Sequence, residues 1–155
     1  MAATSTNKQP LLVDHVLHYV VNLDTSINDG MDIVGTNTAT LIIDGTTSDG
    51  AIVEDIYAIS RGTTAYKVNL YISNARDYLR PNEAVFVGSV TCATTKGDVV
   101  RWEEMPRTLA PVPQVGNEPT NRAFYLPKGY ALWAARESTA NLYDGPLLGC
   151  QGGWF

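Results

Sequence analysis

From Ala39 onward the chain runs in short stretches of alternating apolar and polar residues, most of them closed by a turn rich in glycine. The clearest is Ala65 to Ser73, where Val68, Leu70 and Ile72 alternate with Lys67, Asn69 and Tyr71. Successive side chains of a strand point to opposite faces, so a period of two marks a strand with one face on a core. A helix would instead place apolar residues three and four apart, and no such run of ten or more residues follows residue 24. The chain is therefore confined to folds built from short strands.

Other stretches repeat the pattern. Thr40–Ile43 is a short strand ended by Asp44-Gly45, and Asp49-Gly50 turns the chain into Ala51–Ser60. There strict alternation puts Val53, Asp55, Tyr57 and Ile59 on one face and Ile52, Glu54, Ile56 and Ala58 on the other. Strands follow over Ala84–Thr91, Val99–Glu104, Arg122–Leu126 and Tyr130–Ala135, with Asn141–Gly149 as a candidate last strand. Met105–Thr120 carries Pro106, Pro111, Pro113 and Pro119, which no helix or central strand accommodates, so it is a long connection between sheets. About eight strands with turns every ~8–12 residues indicate a sandwich or barrel, and the long connection suits Greek-key or jelly-roll topology. Residues 10–23 fit either period. Val13, Val16, Leu17, Val20 and Val21 make a helical stripe, but the β-branched content favours a strand.

The expected fold is all-β: a two-sheet antiparallel β-sandwich of jelly-roll type with an N-terminal arm and a flexible C-terminal tail. Residues 1–37 are the arm and a loop, with at most one strand over 11–21. Residues 38–150 are the sandwich, and 151–155 the tail. At 155 residues the chain fits one domain that needs no staples to fold.

Charge narrows the function. Only 17% of residues are charged, the net charge is −5, and the basic residues are scattered singly. Phosphate binding needs clustered Lys and Arg, so neither nucleic acid nor an anionic membrane surface is an expected partner. No apolar run approaches the ~20 residues of a membrane span, and the first residues lack a secretory layout, which sets the expectation of an intracellular origin. Cys92 and Cys150 are too few for a disulfide framework or a cysteine-based zinc site.

The candidate chemistry is thin. His15 and His18 would share a helix face and hold a metal, whereas on a strand they point apart. Asp24–Asp32 resembles a calcium loop, but counting back from Gly30 puts Thr25, Ile27 and Asp29 where ligands belong, and Asp44–Gly50 fails in the same way. Glu54-Asp55 and Glu103-Glu104 are adjacent pairs that diverge on a strand, so neither forms a glycosidase dyad by itself. Gly149–Gly153 has no lysine to make a phosphate loop, and Cys150 has no histidine near it in sequence. The expectation is a protein that is not an enzyme and calls for no cofactor, metal or catalytic residue. Trp154 and Phe155 behind Gly-Gly are large aromatics that must pack on something, either the domain itself or a neighbouring subunit. Leu11, Leu12, Trp102, Trp154 and Phe155 are the candidate contacts to a partner or second subunit. An alternative is a carbohydrate-binding sandwich with Trp102, Tyr71 or Trp133 as a stacking platform, although Trp133 lies in an apolar run and reads as core.

Three stretches carry a family resemblance: Gly50–Ile59, Ala65–Ser73, and Phe124–Ala134 with its Leu-Pro-Lys-Gly-Tyr turn. Together they resemble the small jelly-roll cement, or decoration, proteins of tailed bacteriophages, over roughly two thirds of the chain. The resemblance implies a virion protein on the capsid exterior, assembled in the host cytoplasm. It further implies a homotrimer whose partner is the major capsid protein, reached by residues 1 to about 12 or by Trp154 and Phe155. A tail or fibre accessory protein is the alternative within the same resemblance. No catalytic residue is carried over.

Overall fold

The computed structural model describes residues 15–23, 39–74, 84–102, 110–111, 124–138 and 144–155. Within them lie the strands β1 (His15–Asn22), β2 (Thr40–Asp44), β3 (Gly50–Ile59), β4 (Lys67–Ser73), β5 (Val85–Thr91), β6 (Val99–Arg101), β7 (Ala110–Pro111), β8 (Phe124–Pro127), β9 (Ala131–Arg136) and β10 (Leu147–Trp154). All pairings are antiparallel, and no helix occurs among the described residues. Sheet A has the order β1-β10-β3-β8-β7, with β6 also paired to β3, and sheet B has the order β2-β9-β4-β5. The protein is an all-β sandwich of two antiparallel sheets.

The inward side chains of both sheets make the core. Leu17, Val53, Ile56, Leu148 and Cys150 from sheet A meet Ile43, Val68, Leu70 and Leu132 from sheet B, all fully buried. Tyr71, Ala131, Trp133 and Ala135 form a second buried cluster on the opposite face of sheet B. Tyr71 is thus outward on its strand, as alternation requires, and buried nonetheless. At one end of the sandwich, buried Arg136 of β9 donates from Nε to the Leu23 carbonyl at 2.7 Å and from a terminal nitrogen to the Ser138 carbonyl. It ties the end of β1 to the other sheet.

Two expectations are corrected. The last five residues are not a flexible tail. Residues 147–154 form one strand, inserted between β1 and β3, and the Phe155 amide donates to the Gly50 carbonyl at 3.1 Å. Gly152 serves close approach: a Cβ there would overlap the carbonyl oxygen of Ile52. The sandwich also begins before residue 38, because β1 is the edge strand of sheet A.

The faces of β3 also differ from strict alternation. Val53 pairs with Gly152 and Asp55 with Gln151, which leaves Glu54 unopposed in a bulge. Side-chain parity flips there, so Ala51 and Val53 point inward before it and Ile56 and Ala58 after it. A similar irregularity in β2 leaves Ile42 between the paired Leu41 and Ile43, and both isoleucines bury.

Candidate functional site

Two surfaces have the makings of a site. The first is the outer face of sheet A. Strand β10 places Gly149, Gln151 and Gly153 on it, and the missing side chains leave a trough. The ring of Tyr57 lies in this trough over Gly149. Its hydroxyl is 3.4 Å from Nε2 of His18, and the Arg101 guanidinium stacks over the ring at 5.6 Å while pairing with Asp55 at 3.1 Å. Around this layered cluster several apolar side chains are exposed. Val16 is 82% exposed and Val20 50%, both on the edge strand, and Val99, Tyr125 and Phe155 are also exposed. The Tyr125 and Phe155 rings rest against each other, centroids 6.2 Å apart.

The second surface is a cleft of about 700 Å³ where edge strands β1 and β2 face each other at the open side of the sandwich. Inward parity on β1 brings His15 and Tyr19 to it, and Trp154 stands opposite His15 in register. Phe155, Val21, Leu41 and Ile42 add apolar lining. The polar wall is Asp44, Thr47 and Ser48. Asp44 Oδ1 accepts from the amide and hydroxyl of Thr46, which fixes the carboxylate at the start of the turn. Among the described residues, none that lines the cleft is a lysine or arginine.

The candidate contacts from sequence are dispersed. Trp102 is corrected: it is 4% exposed and packs in the main core, because it follows β6 on the inward parity of that strand. Trp154 is half-buried against the core and lines the cleft, and Phe155 is exposed between the two surfaces. Leu11 and Leu12 lie outside the described residues, as do Asp24–Asp32 and Glu103. The proposed stacking platform is also corrected, since Trp102, Tyr71 and Trp133 are all buried in two separate clusters. His15 and His18 sit on opposite faces of β1, one at each surface.

Both thiols are shielded from chemistry. Burial pushes Cys92 up to about 11 and Cys150 up to about 12, so each stays protonated at neutral pH and is a poor nucleophile. Sequence reading missed Tyr19 and weighed Asp44, Thr47 and Ser48 only as part of a rejected cation loop. They belong to the cleft only because distant segments meet there, and no local motif marks them.

Comparison with protein-family models, curated proteins and solved structures finds no match to the chain. The fold defines its class as an antiparallel β-sandwich, and function must be argued from its surfaces.

Proposed function

We propose that the protein is a non-enzymatic virion structural protein of jelly-roll type. Its role is that of a cement or decoration protein that binds the outer capsid surface of a tailed phage and bridges major capsid subunits, most simply as a homotrimer. The observation that carries this reading is the exposed apolar face of sheet A, from Val16 and Val20 across Tyr57 to Val99 and Tyr125. Exposed valines at Val16 and Val20 on the edge strand support a contact with another protein chain at that edge. The strand order supports this reading: with β7 and β8 set aside, β1, β10, β3 and β6 in one sheet and β2, β9, β4 and β5 in the other can be matched to the pairing of an eight-strand jelly roll, an architecture common in viral capsid domains.

The test is co-sedimentation with phage heads that lack the protein, together with its mass by light scattering. Wild type binds heads to saturation, and Val16→Lys/Val20→Lys loses at least about tenfold in affinity while keeping its far-ultraviolet circular dichroism. Undiminished binding by the double variant overturns the docking face. Binding to tails and not to heads replaces cement with a tail or fibre accessory role.

A further inference from the structure

We propose that the cleft between β1 and β2 is a binding site for a neutral saccharide. The inference stands on the cleft and is independent of the capsid reading. Its volume, about 700 Å³, falls within the ~300–1,000 Å³ of sites that hold small ligands. Its walls combine two kinds of group. Tyr19 and Trp154 are aromatic lining residues, and the C–H face of a pyranose ring stacks on such rings. Asp44, Thr47 and His15 offer acceptors and donors at the rim, where ring hydroxyls would lie.

The details favour this class over others. With Asp44 in the wall and no lysine or arginine among the described lining residues, a phosphate, sulfate or carboxylate would meet repulsion and no counter-charge. A purely apolar ligand would desolvate a charged carboxylate whose hydrogen bonds from Thr46 both go to Oδ1. A neutral ligand with many hydroxyls suits both halves of the wall. Trp154 and Asp44 are held independently, Trp154 by its strand between β1 and β3 and Asp44 by its turn, so the two walls do not depend on each other.

The experiment is ligand-observed saturation-transfer NMR of the full chain with six probes: glucose, galactose, N-acetylglucosamine, cellobiose, lactose and chitobiose. Choline chloride is run beside them. Acrylamide quenching is the second readout, since Trp102 and Trp133 are buried and Trp154 is the accessible reporter. The expected result is saturable transfer to at least one sugar, with Trp154 protected from quenching. Affinity falls at least about tenfold in Trp154→Ala and in Tyr19→Ala and is kept in Trp154→Phe. Tyr19→Ala serves where Trp154→Ala does not fold, because Tyr19 is half-exposed. Absence of saturable transfer from all six sugars overturns the proposal. So does transfer that survives both alanine variants, or a response to choline alone, which would make the cleft a cation cage.

Discussion

The ring of Tyr57 lies directly over Gly149, its register partner on the neighbouring strand, so that a Cβ at 149 would stand 2.5 Å from the phenolic oxygen and overlap the ring carbons. The glycine makes the space and the tyrosine fills it, which keeps water from the backbone of β10. Gly149→Ala forces the ring off the sheet and away from His18 and Arg101. The expected cost is about 1–3 kcal/mol, read as a lower urea midpoint. Because both changes disturb one contact, Gly149→Ala combined with Tyr57→Ala costs less than the sum of the two singles. Strict additivity would show that the ring can move aside freely.

Trp102 and Trp154 separate core from surface. Trp102 is buried in the main cluster, and its Nε1 is buried without a hydrogen-bond partner among the described residues. Trp102→Ala should cost about 3–5 kcal/mol by opening a large cavity. Trp102→Phe should cost clearly less, because it keeps most of the ring and removes an unsatisfied donor. Trp154→Ala, at the cleft wall, should cost less than Trp102→Ala, with the comparison made by urea unfolding at constant slope. The reverse order would place the weight of the core at the chain end.

These residues also show what a reader of the sequence can and cannot see. β4 and the β8–β9 hairpin are legible because Val68, Leu70 and Ile72 keep the period of two and Lys128-Gly129 marks the turn. The end of β10 is illegible because glycine is depleted from strands, and here Gly149 and Gly152 are present for the close approach of Tyr57 and of the Ile52 carbonyl. The inward face of β3 is misread after Val53 because one bulged residue, Glu54, reverses every later side chain. Trp102 looks exposed because Glu103 and Glu104 follow it, yet its own parity is inward. The cleft joins His15, Asp44 and Trp154, which no local pattern connects.

Arg136 is the fixed point between the sheets at the end opposite the cleft's Trp154. Its guanidinium is buried and satisfied by the carbonyls of Leu23 and Ser138. Arg136→Met keeps much of the volume but leaves those carbonyls without their donor, at about 1–3 kcal/mol for each that water cannot reach. Arg136→Lys should recover only part of the loss, since one ammonium does not reproduce the planar fork. Hydrogen exchange is the sharper measurement: amides of β1 should lose protection before those of β4. Equal loss in both strands would mean that Arg136 supports the whole sandwich rather than the seam.

The buried thiols give the fold a signature at alkaline pH. Burial raises Cys92 from 9.0 to about 11 and Cys150 from 9.0 to about 12, so the folded state holds both protons more tightly than the unfolded chain. The sign follows by linkage: this contribution to stability is complete below about pH 9, where both states are protonated, and declines as pH rises from there through 11 and 12. Thiol-specific labelling at about pH 8 should therefore be slow in the native protein and rapid for both cysteines in concentrated urea. Replacing both by alanine should flatten this part of the alkaline decline, which separates it from the titration of tyrosine and lysine in the same range. Fast native labelling of either thiol at about pH 8 would mean that water reaches the inter-sheet core at that position.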